Sequence, residues 1–320
     1  MASIVYREAT LDDVDVAADI MTASFPELPQ DPVVMRYRWE RPRQGQEIGR
    51  FMAEQGGDPI GFLAWVHGPW AKLPDRHCEV EVWLDRRVLD LDLLQAMWSW
   101  LEEKAVAEGA GILLAYSGEG EPEMLAALAA LGYRRERVER LWRLDLAAHG
   151  PRLIEEAHKA RGQMRAASIE LVTLAQWKDP EAIAKLHELD RRTEPDAPHT
   201  APLIEEPLED FKRRVSAPDR RADRIWIALH AERAVAMSFL RFPPVRGSVF
   251  TAYTCSDPDY RGRGIARAVK LQSLAQAAEL GVRVVHTDND SENAPMLHIN
   301  KTLGYELRPG FVEHLKRVTR

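Results

Sequence analysis

Glycine and arginine alternate in a short segment between a predicted strand and a predicted helix. The segment, TCSDPDYRGRGIARAVK, spans Thr254–Lys270, and within it Gly262 and Gly264 flank Arg263. Glycine permits positive φ and lets the backbone approach a ligand closely. Beyond the glycines the apolar residues recur at helical spacing, so the first helical N–H groups would point at one place, where the helix dipole adds partial positive charge. Together with Arg261 and Arg263, these groups could bind an anion such as a phosphate.

Two well-known phosphate motifs do not describe this segment. A P-loop requires G-x-x-x-x-G-K-[ST], which is absent, and the dinucleotide fingerprint requires a third glycine where Arg267 stands. The segment instead resembles the pyrophosphate loop of the GCN5-related N-acetyltransferases (GNAT), [RQ]-x-x-G-x-[GA], which reads here as Arg261, Gly264 and Ala266. The alternative is a strand–helix turn that uses glycine only for its geometry.

The resemblance implies that acetyl-CoA is a co-substrate and that this segment binds it. The pyrophosphate would lie on the loop, and the pantetheine arm would pair with the end of the preceding strand. The turn at Asp257-Pro258 opens that strand, because proline cannot donate to a ladder. A backbone N–H near Cys255 would hold the oxyanion. The predicted cofactor-binding residues of this segment are Thr254, Cys255, Ser256, Arg261, Gly262, Arg263, Gly264, Ile265 and Ala266.

A second segment, TDNDSENAPMLHINKTLGY at Thr287–Tyr305, follows a strand and leads into a helix. Its asparagines carry amides that donate and accept hydrogen bonds, and the amides of pantetheine need such partners. In the family that this segment resembles, an asparagine at the position of Asn293 contacts the coenzyme, and we include Asn289 with it. Capping of the helix beside Pro295 is the alternative role for Asn293.

The same resemblance implies that an amine attacks the thioester directly, without a covalent enzyme intermediate, and such a reaction needs a general base. Many GNAT enzymes place a tyrosine as general acid where this sequence has Asn300, which has no proton to give. Cys255 is not expected to act as a nucleophile, because no histidine is identifiably paired with it. The strand before the loop carries no carboxylate, so the base is not identified. The catalytic candidates are three residues of the loop between two predicted helices, Glu194, Asp196 and His199, and the strand residue Tyr253.

Length and composition limit the protein classes that this chain fits. A chain of 320 residues usually forms two domains. A net charge of −7 argues against nucleic acid or an anionic membrane as the main partner. Two cysteines, no signal-peptide pattern and no long apolar run predict a cytoplasmic protein. No spacing of metal ligands occurs, so no metal is predicted, and a monomer or a homodimer is expected.

The two halves of the chain repeat each other. Leu131-Gly132-Tyr133 recurs as Leu303-Gly304-Tyr305, 172 positions later. The predicted order of elements in each half, β-α-α-β-β-β-α-β-α-β-β, also resembles the GNAT fold. We therefore predict an α/β (α+β) class with two tandem GNAT-like domains, each a mixed, mainly antiparallel sheet flanked by helices. The predicted boundaries are a degenerate domain at 1–148, a linker helix at 149–167 and an acetyl-CoA-binding domain at 168–320.

The first half lacks an anion loop at the corresponding position. Its sequence there has no glycine, and Asp90 and Asp92 stand at the start of a helix, where they would repel a phosphate. The preceding segment, His77–Leu84, alternates apolar with polar residues and predicts a half-buried strand. We interpret this half as a support for the other half and its substrate cleft. A second cofactor site of unusual chemistry is the alternative.

The sequence therefore predicts an acetyl-CoA-dependent N-acetyltransferase that acts on the amine of a small molecule. Two other functions stay open. One is a non-catalytic acyl-CoA-binding or scaffold protein, because the usual tyrosine and strand glutamate are missing. The other is acetylation of a protein or peptide amine.

Overall fold

The computed structural model describes residues 3–318, which form a β-α-α-β-β-β-α-β-α-β pattern twice. The first half contains the strands β1 (Ile4–Glu8), β2 (Glu47–Gln55), β3 (Asp58–His67), β4 (His77–Leu84), β5 (Ile112–Gly118) and β6 (Arg134–Asp145), and the helices α1 (Val14–Ser24), α2 (Pro32–Glu40), α3 (Leu91–Ala107) and α4 (Pro122–Ala130). After α5 (Leu146–Ala166), the second half contains β7 (Ile169–Thr173), β8 (Ile225–His230), β9 (Arg233–Arg241), β10 (Val249–Ser256), β11 (Val284–Asp290) and β12 (Glu306–Arg317), with α6 (Ala182–Thr193), α7 (Leu208–Val215), α8 (Ile265–Glu279) and α9 (Ala294–Leu303).

The predicted α/β class and the internal repeat are confirmed, but each half ends in one strand rather than in two. β6 and β12 are single strands of 12 residues. β12 changes register between Arg308 and Phe311. Gly310 lies there against the β6 backbone, and a Cβ on it would stand 1.9 Å from the carbonyl oxygen of Glu139. One long, irregular strand therefore takes the place of the two short strands expected at each end.

The two predicted sheets are joined into one. Its strand order is β1-β2-β3-β4-β5-β12-β6-β11-β10-β9-β8-β7. The last strand of each half is thus exchanged: β12 pairs with β5 of the first half, and β6 pairs with β11 of the second. Only β4–β5 and β10–β11 are parallel among the described pairs. The two copies therefore share a continuous hydrogen-bonded centre rather than meeting through side chains alone.

Helices cover both faces of the sheet. On one face, α3 and α4 pack on the first half and α5, α8 and α9 on the second. The helix predicted as a linker is α5, and it belongs to the core, because it packs directly on α8. Gly150 permits this close approach, since a Cβ there would stand only 3.1 Å from the Cβ of Ala278.

On the opposite face, α1 and α2 pack on the first half and α6 and α7 on the second. These two helix pairs leave the central strands of the sheet between them, and the space over those strands contains cavities. We call this side the cavity face. Among the helices of residues 3–318, none has the length and apolar composition that crossing a bilayer requires.

Candidate functional site

The predicted anion loop, residues 261–266, is an exposed turn at the start of α8. Gly262 and Gly264 have φ values of +73° and +74°, which only glycine adopts without strain, and no atom would lie within 4 Å of a Cβ at either position. Within residues 3–318, the backbone N–H groups of positions 262–267 have no hydrogen-bond acceptor. The N–H groups and the helix dipole therefore form an open site for an anion.

Buried and stacked side chains fix the position of this loop. Asp257, at the end of β10, is 1% exposed and forms an ion pair of 2.6 Å with Arg233. Its other oxygen accepts from the N–H of Asp259. The Tyr260 hydroxyl lies 2.9 Å from the Nδ1 of His230, and the Arg263 guanidinium lies over the Tyr260 ring. The loop is thus held in place before any ligand arrives, which lowers the entropic cost of binding.

The strands beside the loop separate. β10 and β11 pair only at Val249 with Val285 and at Phe250 with His286, although β10 continues to Ser256. The register of β10 against β9 shifts between Thr251 and Tyr253, at the point where β10 and β11 separate. We call the gap between the two strands beyond Phe250 the opening. An unpaired strand side can accept an extended chain that carries amides, such as pantetheine.

Alternation along β10 identifies the N–H groups that face the opening. Asp257 donates its N–H to Val235 of the neighbouring chain segment. Because successive N–H groups point to opposite sides of a strand, those of Thr254 and Ser256 face the opening, and that of Cys255 faces β9. The Thr254 hydroxyl lies 2.9 Å from the Ser238 hydroxyl on the same sheet. The geometry therefore favours Thr254 or Ser256, rather than Cys255, as the N–H donor to an oxyanion.

Cys255 and Tyr253 lie on the cavity face of β10, under α6. Burial raises the pKa of the Cys255 thiol to about 12, so the thiolate is scarce at neutral pH. That Cys255 does not act as a nucleophile stays a prediction. The Tyr253 hydroxyl lies 2.9 Å from the hydroxyl of Thr193, and burial raises the pKa of Tyr253.

The predicted amide residues lie on β11 and α9. Asn293 caps α9, with its Oδ1 accepting from the N–H of Met296 at 3.3 Å, which leaves its NH₂ group for another partner. Asn289 accepts from the amide of Asn300, and Asn300 accepts in turn from the Nζ of Lys270 at 2.7 Å. The buried Asn300 side chain therefore connects α9 with α8 and β11 through its hydrogen bonds.

Sequence reasoning missed Lys270. It lies within α8, is fully buried and stands over the ring of Tyr305. Burial lowers its pKa to about 7. A lysine on the apolar face of a predicted helix was the signal in the sequence that this side chain is buried.

The catalytic candidates of the loop after α6 divide into two groups. Asp196 is exposed and forms an ion pair with Arg261, so it lies beside the anion loop. Glu194 and His199 line a cavity of about 370 Å³ on the cavity face, which we call the loop cavity. Burial raises the pKa of Glu194, and its carbonyl oxygen lies 3.1 Å from the Nε2 of His199.

A larger cavity of about 500 Å³ lies next to the loop cavity over the middle of the sheet, and we call it the central cavity. Tyr116 and Glu139 line both cavities. Asp288, on β11 beside the opening, lines the central cavity, and Phe250 lines it from β10. The cavity therefore reaches the strands between which the thioester is expected.

Carboxylates that sequence reasoning missed line these cavities. Desolvation in the cavity and, to a smaller extent, nearby carboxylates together raise the pKa of Glu79 and of Glu139 to about 7. Burial also raises the pKa of Asp288. The alternation in β4 is the available signal. The half-buried strand that it predicts is confirmed, since Cys78, Val80, Val82 and Leu84 are buried while Glu79 is exposed and lines the loop cavity.

Within the described residues of the first half, the turn that corresponds to the anion loop differs in sequence and in hydrogen bonding. With the repeat offset of 172, Asp90 and Asp92 stand where the second half has Gly262 and Gly264. Asp90 caps α3, accepting from the N–H of Leu93 at 2.9 Å. Asp85 accepts from the N–H of Arg87 just as the corresponding Asp257 accepts from that of Asp259, so this bond is common to both halves. Asp90 thus occupies one N–H, at the position of Ile265, that an anion would need, and Asp90 and Asp92 add negative charge there.

Within residues 3–318, no group of three or more His, Cys, Asp and Glu side chains is placed to hold a metal ion. Both cysteines are free and buried. The chemistry available at this site is therefore that of an anion loop, an opened strand pair and a carboxylate-lined cavity.

Comparisons with known proteins agree with this arrangement. Residues 183–305 match the model of the Acetyltransferase (GNAT) family, and the match includes the anion loop, β11 and α9. The chain is 27% identical over 241 residues to a mycothiol acetyltransferase from Thermobifida fusca (strain YX), which covers 69% of this chain and 68% of that protein.

Solved structures show the same fold over the whole chain. A tandem GNAT protein from the clavulanic acid biosynthesis pathway superposes with a TM-score of 0.76 at 17% identity, covering 99% of both chains. A GCN5-related N-acetyltransferase from Sphaerobacter thermophilus gives a TM-score of 0.67 at 16% identity, covering 99% of this chain and 96% of that chain. The tandem arrangement predicted from the internal repeat is confirmed.

Proposed function

Because this chain is a tandem GNAT-type acetyltransferase, we propose that it transfers the acetyl group of acetyl-CoA to the amine of a small molecule, and that only its second half binds the coenzyme. One observation carries the proposal: the N–H groups at positions 262–267, which lack an acceptor within residues 3–318, stand beside a strand pair that has opened. The first half has a similar strand pair, but Asp90 accepts from the N–H of Leu93 at the corresponding turn, and Asp90 and Asp92 put negative charge there.

The residues of the second half fit the parts of the coenzyme. The N–H groups of the anion loop, with Arg261 and Arg263, suit the pyrophosphate. The strand end at Thr254–Ser256 suits the amides of pantetheine, and the NH₂ of Asn293 offers one more donor. Acetyl-CoA supplies the activated thioester carbonyl.

We assign the acceptor to the central cavity. It adjoins the opening at Asp288 and Phe250, and a volume of about 500 Å³ is that of a small-molecule site. The similarity to a protein named mycothiol acetyltransferase supports a small molecule rather than a protein as the acceptor.

Asp288 is our candidate for the general base. It lies on β11 at the edge of the opening and lines the central cavity. Because burial raises its pKa, its carboxylate is a stronger base than an exposed one. It would take the proton of an ammonium group, directly or through a water. The free amine attacks the carbonyl and forms the new C–N bond, and the C–S bond breaks to release the thiolate of CoA. The proton that the nitrogen loses as the amide forms passes to that thiolate or to solvent.

The test is thiol release from acetyl-CoA with a panel of small amines, combined with calorimetric binding of acetyl-CoA. We expect an Asp288→Asn variant to bind acetyl-CoA normally and to lose about 10²-fold or more in kcat. Glu155→Gln, an exposed carboxylate on α5, is the matched control.

The outcomes separate the alternatives. Coenzyme binding without thiol release for any amine would favour a binding or scaffold protein. Release with a protein substrate but with no small amine would favour a protein acetyltransferase. Full activity of Asp288→Asn would remove Asp288 from the base role.

A further inference from the structure

Four carboxylates form a row across the cavity face of the sheet. We define the acidic row as Glu79 on β4, Glu313 on β12, Glu139 on β6 and Asp288 on β11. The strand registers put them on one face. Glu79 pairs with Leu114, and Tyr116, two residues further along β5 on the same face, pairs with Glu313. Glu313 also pairs with Arg137, which lies on the same side of β6 as Glu139. Leu141, also on that side of β6, pairs with Asp288. All four carboxylates line the central or the loop cavity.

Two polar atoms in the lining of the loop cavity lack hydrogen-bond partners within residues 3–318, although their side chains are deeply buried. Glu313 is 6% exposed, and its Oε2 accepts from the Tyr116 hydroxyl at 3.0 Å, but its Oε1 has no hydrogen-bond partner within residues 3–318. The Nδ1 of His77, which is 7% exposed, also has no partner there. Both side chains line the loop cavity. A buried carboxylate oxygen without a hydrogen-bond donor costs free energy. The lining of the loop cavity is therefore suited to a ligand that donates hydrogen bonds.

The neighbouring cations balance this charge only in part. Arg241 lines the central cavity and acts to lower the pKa of Asp288, against the larger effect of burial. Arg137, an arginine beside the row on β6, forms an ion pair of 2.6 Å with Asp290. Arg43, at the rim of the loop cavity, lies 3.9 Å from Glu206. Glu79 and Glu139 are each repelled by Glu313. The row therefore repels anions and attracts a cation.

The cation that fits is organic. No group of three or more candidate ligands in the described part of the chain converges as a metal site requires. An ammonium group, in contrast, donates up to three hydrogen bonds to separate oxygens. The apolar lining of the central cavity, which includes Phe25, Trp83 and Phe311, suits a hydrocarbon chain between two such groups.

We propose that the acceptor is a diamine or polyamine whose distal ammonium binds between Glu313 and Glu139 while its other nitrogen reacts at the opening beside Asp288. This inference deepens the proposed acetyl transfer and rests on it. Glu313 is level with Arg137 of β6 and Asp288 with Leu141, so strand spacings of about 4.8 Å and a rise of about 3.3 Å per residue place Glu139 roughly 8 Å and Glu313 roughly 16 Å from Asp288. The two nitrogens of the acceptor should be separated by a distance between these two values.

The test compares heptamethylenediamine, which spans such a distance when extended, with heptylamine, which has the same chain but one nitrogen. Calorimetry of each amine without acetyl-CoA measures binding alone, and thiol release with saturating acetyl-CoA measures kcat/KM. We expect the diamine to bind and to react about tenfold or more better than the monoamine. A Glu313→Gln variant should lose most of that preference through KM, and heptylamine should be little affected.

Glutamine at position 313 still accepts from Tyr116, so the variant is designed to keep the fold, and Glu155→Gln is the matched control on an exposed helix face. Equal binding of the diamine and the monoamine, or an unchanged preference in Glu313→Gln, would overturn the inference. Thiol release with monoamines alone would do the same and would leave the proposed acetyl transfer intact. A protein that binds the diamine but transfers no acetyl group to any amine would contradict the acetyl transfer instead, and with it the role of the distal site in catalysis.

Discussion

Arg261, the first residue of the anion loop, forms an ion pair with Asp196 of the loop that follows α6. Both side chains are nearly half exposed, at 46% and 45%. The sequence alone predicts different roles for these residues, Arg261 with the coenzyme and Asp196 among the catalytic candidates. Their contact suggests a different role for Asp196, that of a competitor for the arginine that we propose binds the pyrophosphate.

We therefore predict that Asp196→Asn tightens acetyl-CoA binding, because the coenzyme no longer competes with a carboxylate for Arg261. Exposed ion pairs are weak, so the gain should be about two- to fivefold in Kd, and it should shrink at high salt. Calorimetry at two salt concentrations measures it. Glu188→Gln, which removes an exposed partner of Arg191 on α6, is the control and should leave Kd unchanged. A large loss of kcat with unchanged Kd would show that Asp196 is catalytic after all.

The second prediction concerns Gly264. Aspartate at this position should abolish acetyl-CoA binding, with a loss of at least about 10²-fold, because it puts a negative charge against the pyrophosphate and strains a backbone with φ of +74°. The first half already carries aspartate at the corresponding position 92.

Gly281→Asp is the matched control for this variant. Gly281 follows the other end of α8, has φ of +81°, and leaves open space for 4 Å around the position that a Cβ would take. The control should lose similar stability in a thermal melt and keep its affinity for the coenzyme. Equal affinity of both variants in calorimetry would exclude the loop as the binding site.

The parts of the site that could be predicted are local. Strand β10 and helix α8 begin at the predicted residues, and the anion loop lies between them, because glycine spacing and helical periodicity act within about one turn of chain. The role of Asn293 as a helix cap was likewise an alternative that its neighbour Pro295 suggested. Such features depend on residues that are adjacent in sequence.

The acidic row depends on contacts between residues far apart in the chain. Glu313 pairs with Tyr116 across 197 positions, because β12 inserts into the sheet of the first half. A single sequence does not show that exchange, since β12 has the pattern of an ordinary closing strand. The alternation in β4 correctly predicts a strand, but periodicity does not distinguish a face toward solvent from a face toward a cavity.

The third prediction is that the native enzyme resists thiol reagents. Burial raises the pKa of both Cys78 and Cys255 to about 12, so iodoacetamide near neutral pH should modify neither thiol and should leave acetyl transfer intact. Mass spectrometry should find no adduct on the native protein and two after denaturation. Inactivation that acetyl-CoA prevents would instead reveal a reactive cysteine at the site.

The last prediction concerns stability and follows from the acidic row. Glu139 faces Asp288 and Asp290 on β11 and Glu313 on β12, with Arg137 on its own strand, and its pKa is raised from 4.5 to about 7. The native state therefore holds a proton on this group that the unfolded chain has lost, so the free energy of unfolding falls as pH rises from about 4.5 to 7.

Glu139→Gln removes this effect. The variant should be more stable than the parent at about pH 8, by on the order of 1 to 2 kcal/mol after allowance for water in the cavity, and the difference should vanish near pH 4.5. Denaturant unfolding at the two pH values measures it, with the exposed Glu155→Gln as a control that gains nothing at either pH. A parent that is the more stable protein at pH 8 would mean that Glu139 is ionised and paired in the native state. Such a result would also weaken the case for a free cation site beside it, because a row whose charges are already balanced has no need of an ammonium ligand.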